Sequence, residues 1–140
     1  MGGVPLSKVV KQMVTDGVML IGDAARTVNP LSGGGITLGM KSAVKAADVA
    51  IKVIKSNLGV SESNLMEYQK LWMKNEGKQI NRIYGIKKAV YKLNDKDLNE
   101  IIEKINKVPI EKRSMFKFFS ACIPQKPSML IDVAKVFVGY

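Results

Sequence analysis

At 140 residues, 46% of them apolar, the chain is long enough for one modest domain with its own core and cramped for two. Its formal charge of +10 favours an anionic contact such as nucleic acid, acidic lipid headgroups or a phosphorylated ligand. The lone Cys122 excludes an internal disulfide and a multi-cysteine metal site, and the absence of histidine removes the Ser/His/Asp triad along with the commonest general base and metal ligand.

No segment reaches the roughly 18–20 uninterrupted apolar residues that span a bilayer, and the opening "MGGVPLSKVV" lacks the charged-then-apolar order of a signal peptide. A reducing, cytoplasmic or membrane-peripheral location is therefore expected. The first element in chain order is "GVMLIGDA", where the apolar run Val18 to Ile21 predicts a short buried strand that delivers Asp23 to its C-terminal end. Ligands commonly sit at such ends in open α/β sheets. A loop turned by Pro30 leads to Gly33, Gly34 and Gly35, three adjacent glycines that cost the unfolded-to-folded transition heavily in backbone entropy.

Next, "ITLGMKSAVKAADVAIKVIKSNLG" carries a clear helical period, with Ile36, Met40, Ala43, Ala47, Ala50 and Ile54 on one face and Lys41, Lys45, Asp48, Lys52 and Lys55 on another. Burial of the apolar face is expected, kept thin by Gly39, Ala43 and Ala47, with Gly59 as the C-terminal stop. Composition changes near residue 59, from glycine and small residues to lysine-rich amphipathic helix, which suggests a boundary between 1–59 and 60–140. In the second part "SESNLMEYQKLWMKNEGKQINRIYGIKKAVYKL" predicts one long helix capped by Ser63 or Asn64 and weakened at Gly77 and Gly85. "NDKDLNEIIEKINKV" predicts another, capped by Asn94, with Leu98, Ile101, Ile102 and Ile105 as its apolar stripe and Pro109 closing it. Pro124 and Pro127 bracket a turn before a last short helix, "SMLIDVAKVFVGY". The resulting fold class is α/β, and no internal repeat is present.

Physically, an acid at a strand end and a glycine-opened helix start make complementary features. The carboxylate accepts hydrogen bonds from sugar-like hydroxyls, and the unsatisfied N–H groups of the first helical turn face an anionic or electron-rich group. The segment "DGVMLIGDAARTVNPLSGGGITLGMKSAVKAA" resembles the second FAD-contacting motif of the flavoprotein monooxygenase and reductase superfamily: GDAA, a spacer, Pro, then G-x-G-I and an Ala-rich helix. Gly22, Asp23, Ala24, Ala25, Pro30, Gly33, Gly35 and Ile36 match as they stand. Within that superfamily it most resembles the geranylgeranyl reductases, particularly the archaeal type acting on digeranylgeranylglycerophospholipids.

The resemblance implies an incomplete, Rossmann-like FAD-binding lobe followed by a mainly α-helical C-terminal region. It implies FAD as cofactor, with Gly22, Asp23, Ala24, Pro30, Gly33, Gly34, Gly35 and Ile36 as cofactor-binding residues. Asp23 is expected to hold a ribityl hydroxyl, Pro30 to pack beside the isoalloxazine ring, and Gly34, Gly35 and Ile36 to direct N–H groups at the pyrimidine edge. The implied partners are a prenylated lipid substrate, an external electron donor, an anionic membrane surface and a missing N-terminal half. The superfamily's first motif, G-x-G-x-x-G after a strand, is absent here, as are the substrate-chamber sheet and its isoprenoid-contacting residues. On this resemblance the chain is expected to be a C-terminal portion, with catalytic residues unassigned, and by itself to bind FAD poorly. The family's functional cysteine has no counterpart at Cys122.

Other readings stand beside this one. The glycines could form a plain connector between strand and helix; a phosphate loop is disfavoured, since no Lys-Ser or Lys-Thr pair follows them. Arg26 and the lysine stripe read as solvated, Trp72 with Tyr68 as packing, and Cys122 as a small core residue. In function, the alternatives are a flavin-dependent aromatic hydroxylase, which shares the motif, and a non-enzymatic basic helical module for anionic lipid or nucleic acid. Nucleic acid is not expected, because Glu67, Glu76, Glu100 and Glu103 interrupt the basic surface.

Overall fold

A computed structural model describes residues 2–114 and 120. The Pro124–Pro127 turn, the last helix and Cys122 lie outside the described residues. The chain divides into two units, Met1–Tyr84 and Gly85–Tyr140.

In the first unit, β1 (Val14–Thr15) and β2 (Val18–Met19) form an antiparallel hairpin with Val14 opposite Met19 and Thr15 opposite Val18. Gly17, at φ +69, supplies the left-handed turn between them. The strand expected over Val18 to Ile21 is thus shorter than predicted, and Val18 and Ile21 are exposed rather than buried. Their apolar run is paired on one side only, by β1 and by the Leu20 N–H donating to the Met13 carbonyl at 2.8 Å.

Helix α1 (Ile36–Lys55) has the predicted extent but not the predicted orientation. Its buried residues are Ser42, Ala46, Val49 and Val53, whereas Ile36, Met40 and Ile54 of the expected core face are exposed. The physical reason is that α1 is apolar on two sides, and helix α2 (Glu62–Trp72) packs on the side that the sequence reading did not single out. Its C-terminus stops at Asn57 rather than Gly59: Asn57 adopts φ +52, its N–H donates to the Ile54 carbonyl, and the Leu58 N–H donates to the Val53 carbonyl. This is a Schellman closure, with Asn tolerating the left-handed position glycine usually fills.

Helix α2 begins after Ser61, two residues ahead of the earlier of the expected caps. The cap is tertiary, since the Glu62 N–H donates to the Asp16 carboxylate of the hairpin turn at 2.7 Å. The predicted long helix continues through a π-helical turn, Met73–Gly77, into α3 (Lys78–Val90). Gly77 is buried there, and a Cβ on it would stand only 2.5 Å from the Met73 sulfur, so the wide turn depends on a missing side chain. Val9, Met13, Val14, Ala25, Ala46, Val49, Val53, Leu65, Tyr68, Trp72 and Ile80 form the core. Lys45 and Lys52, expected to be solvated, reach Glu76 at 3.8 Å and Glu67 at 2.6 Å; the first pair is largely buried, and the second lies on an exposed surface where such a pair is worth little.

The second unit contains α4 (Asp95–Asn106), which starts with a complete capping box: the Asp97 N–H donates to Asn94, and the Asn94 N–H donates to Asp97. Ile101 is fully buried beside Ala89, with Leu93 and Ile105 packed on them, while Ile102 is half exposed.

Candidate functional site

After β2 the chain enters a 3-10 turn, Gly22–Ala25, that is closed from within. The Arg26 N–H donates to the Asp23 carbonyl at 2.9 Å, and both the N–H and the hydroxyl of buried Thr27 donate to the Gly22 carbonyl, at 3.0 and 2.9 Å. Gly22 and Arg26 both take left-handed φ values, +56 and +55, the second uncommon for a residue with a side chain.

The following loop is also self-organised. Asn29 exchanges backbone hydrogen bonds with Gly34 and Gly33, at 3.0 and 2.9 Å, while its side-chain oxygen accepts from the N–H groups of Leu31 and Ser32. Pro30 is fully buried and lies outside the lining of the cavity described below. Asn29, rather than Pro30, organises the turn. An Asn two to three residues ahead of the N–H groups it bonds is a sequence signal that could have found it.

The three glycines have separate physical reasons. Gly33 requires its φ of +76. Gly35 requires close approach, since a Cβ there would lie 3.1 Å from Val28 Cγ2 and 3.3 Å from Asp23 Oδ1. Gly34 has neither a left-handed φ nor a tight neighbour, its would-be Cβ being 3.4 Å from the Ser32 hydroxyl. The N–H of Gly33 is used by Asn29 and that of Gly34 reaches Ser32 Oγ at 3.3 Å, whereas those of Gly35 and Ile36, at the start of α1, have no acceptor among the described residues.

Beneath the turn lies a polar support that the sequence patterns did not single out. The Ser42 hydroxyl accepts from the Gly22 N–H at 3.0 Å and donates to the Gly39 carbonyl at 2.7 Å. The Tyr68 hydroxyl donates to the Leu20 carbonyl at 2.7 Å. Burial pushes the Tyr68 phenol up to about 12, with a smaller opposing pull from Ser42, so it remains a proton donor across the physiological range. Gly39 meets the turn directly, its would-be Cβ only 3.7 Å from Gly22 Cα. Both Tyr68 and Trp72 are fully buried, so they pack rather than form a ligand platform.

These contacts frame a cavity of about 430 Å³ lined by Val4, Asp23, Gly33, Gly35, Ile36, Gly39 and Met40. Asp23 is exposed and its carboxylate holds no protein hydrogen bond or ion pair among the described residues; Ala24 is exposed and Gly22 half-buried outside the lining. The donor set therefore combines one free anion with free helix-start N–H groups, a chemistry suited to a ligand bearing both hydroxyls and an electron-rich edge. Among the described residues, no cluster of His, Cys, Asp and Glu that could hold a metal occurs.

Comparison with known proteins bears on the chain as a whole. A family described as FAD binding domain matches residues 6–69, a span that contains the turn, the glycine loop, α1 and most of α2. The chain is 37% identical over 133 residues to the digeranylgeranylglycerophospholipid reductase of Methanothrix thermoacetophila, covering 94% of this chain and 34% of that protein. It is 35% identical over 136 residues to digeranylgeranylglycerophospholipid reductase 1 of Methanothermobacter thermautotrophicus, covering 97% of this chain and 34% of that protein. A solved geranylgeranyl bacteriochlorophyll reductase-like protein from Thermoplasma acidophilum superposes with a TM-score of 0.80 at 28% identity, over 96% of this chain and 34% of that one. The chain thus spans about a third of the length of the curated relatives it matches. The resemblance carried by the GDAA turn and the glycines is borne out along nearly the whole chain, as is the fold class: part of an FAD-binding lobe followed by helices.

Proposed function

We propose that this chain is the flavin-ring side of an FAD-dependent reductase that saturates double bonds in the prenyl chains of isoprenoid ether lipids. The observation that carries the reading is the convergence of the free Asp23 carboxylate and the free N–H groups of Gly35 and Ile36 on one cavity. Asp23 would hold a ribityl hydroxyl, with Gly22 and Ala24 shaping its turn. Gly33 and Gly34 would keep the approach to the helix start clear, and Gly35 and Ile36 would donate to the pyrimidine edge. Bound flavin supplies hydride transfer to a carbon–carbon double bond. The chain's own contribution is electrostatic and positional: the start of α1 stabilises negative charge on the group it faces by about 1 kcal/mol, and Ser42 and Tyr68 hold Gly22 and Leu20 so that Asp23 keeps its place.

Residues 1–59 would carry the cofactor half-site and residues 60–140 the helical support. The remaining partners in this reading are a prenylated lipid, an external electron donor and a polypeptide holding the adenine and pyrophosphate side of the cofactor. The net charge of +10 suits a cytoplasmic enzyme resting on an anionic membrane surface, where each basic residue near the headgroups adds about 1 kcal/mol. No helix among the described residues is long and apolar enough to cross a membrane.

The test places these 140 residues in the position of the matching third of the Methanothrix reductase. The purified chimera should be yellow and should add hydrogen to geranylgeranyl chains of an ether phospholipid, and Asp23→Ala should reduce flavin retention about tenfold or more. A folded but colourless chimera overturns the reading.

A further inference from the structure

The continuous helix formed by α2, the π-helical turn and α3 separates its charges across its own axis. Between Tyr68 and Arg82 its only acid is Glu76, largely buried and directed at Lys45 of α1, and the acid just before that stretch, Glu67, is held by Lys52 of α1. The bases face solvent instead. Lys70, Lys74, Lys78 and Arg82 are all exposed, recur at every fourth residue, and have no acid partner among the described residues. In a regular α-helix three steps of four residues would rotate such a row by about 120°. The π-helical turn Met73–Gly77 takes one extra residue into a turn and cancels most of that drift, which leaves the four cations in line. Successive members rise by about 6 Å, inside the Debye length of about 8 Å, so their fields add. The segment before β1 runs alongside. The Val9 N–H donates to the side chain of Asn81, the sequence neighbour of Arg82, at 3.3 Å, and the side chain of Gln69, the neighbour of Lys70, donates to the Lys11 carbonyl at 3.3 Å. Exposed Lys8 and Lys11 are thereby brought to the same region.

We propose that this row, with Lys8 and Lys11 beside it, is the surface by which the chain seats on an anionic phospholipid bilayer. The proposal rests on the lipid-reductase reading above and assigns its membrane contact to one face instead of to net charge. A bilayer offers a flat, continuous field of phosphate charge to cations that lie in line on one helix, and a cluster of about four to eight bases is the size that such a surface holds. Leu71, 41% exposed and adjacent to Lys70, adds an apolar contact at headgroup depth. Single-stranded nucleic acid is a poorer match, since the aromatics between Tyr68 and Arg82 are Tyr68 and Trp72, both fully buried and unable to stack on bases.

The test sediments the 140-residue chain with vesicles of phosphatidylcholine alone and of phosphatidylcholine with phosphatidylglycerol at about two to one. Binding to the mixed vesicles only, released in about 1 M salt, is expected. Lys70→Gln, Lys74→Gln, Lys78→Gln and Arg82→Gln together should cut partitioning about a hundredfold or more without lowering the unfolding midpoint. The same loss of charge at exposed Lys41, Lys55, Lys104 and Lys107 should cut it less than about tenfold. Equal losses from the two sets, binding to neutral vesicles that salt leaves undiminished, or tighter binding to duplex DNA than to mixed vesicles overturns the proposal. In the chimera the row substitutions should likewise release the protein from mixed vesicles, and a chimera that ignores them, or that never binds, overturns it too, because the row is then covered. Flavin colour is scored separately: a yellow chimera indifferent to the row sinks the surface alone, and a colourless one still released by the row substitutions sinks the cofactor reading alone.

Discussion

The upper and lower sides of the GDAA turn obey opposite rules. Below it, the hydroxyls of Thr27, Ser42 and Tyr68 are each paired with a backbone group of the turn, of α1 or of Leu20 just before the turn. Above it, Asp23 and the N–H groups of Gly35 and Ile36 are left without partners among the described residues. The difference teaches that satisfied polar groups are spent on holding the backbone and unsatisfied ones are kept where a ligand can reach them. Even the lower side has its exceptions, at the π-helical turn, where Trp72 Nε1 and one Glu76 oxygen are buried without partners.

Substitutions below the turn should cost stability, and substitutions above it should cost ligand. The largest effect is expected for Trp72→Ala, which empties the centre of the core and should remove about 3–5 kcal/mol, measured by urea unfolding. A loss under 1 kcal/mol would mean that the core reorganises without it. Tyr68→Phe is expected to cost about 1–2 kcal/mol at neutral pH by orphaning the Leu20 carbonyl.

That same variant sharpens the comparison through pH. The Tyr68 phenol ionises near 12 in the folded chain against 10.0 in the unfolded one, so its support is complete below pH 10 and is lost as pH rises toward 12. The advantage of wild type over Tyr68→Phe should therefore shrink and then reverse across that window, a swing of about 2–3 kcal/mol in the limit. An unchanged difference between pH 9 and 11.5 would place the phenol in a wetter setting than its burial indicates.

Above the turn, Asp23→Asn should leave stability within about 0.5 kcal/mol while flavin retention by the chimera falls. A small effect on the fold of opposite sign belongs to Gly34→Ala. No left-handed φ or close contact demands glycine there, so alanine should raise stability by about 0.4–1 kcal/mol through the unfolded chain. Flavin retention should nonetheless drop; a variant both more stable and fully flavinated would remove Gly34 from the site.

Much of this was legible in the chain itself. The order GDAA, Pro30, glycines, helix is local, and its elements fall where the pattern puts them: the turn at Gly22–Ala25, α1 from Ile36, the Asn94 cap of α4. Less legible was the bonding that shapes the loop. Asn29 and Ser42 are small polar residues of a kind found on any surface, and their role depends on which backbone groups approach them. Pro30 marks a bend in the sequence, and its full burial is set by the fold around it.

Sequence alone determined where α1 and α4 begin and which residues have no side chain to obstruct a backbone, because propensity, capping and the absence of a Cβ act over a few residues. Only tertiary structure decided which apolar face of α1 is covered, since both satisfy the helical period and the choice depends on α2 arriving from later in the chain. The start of α2 followed the same rule: its cap is Asp16, 46 residues away, because an unsatisfied N–H takes whichever carboxylate the fold brings near.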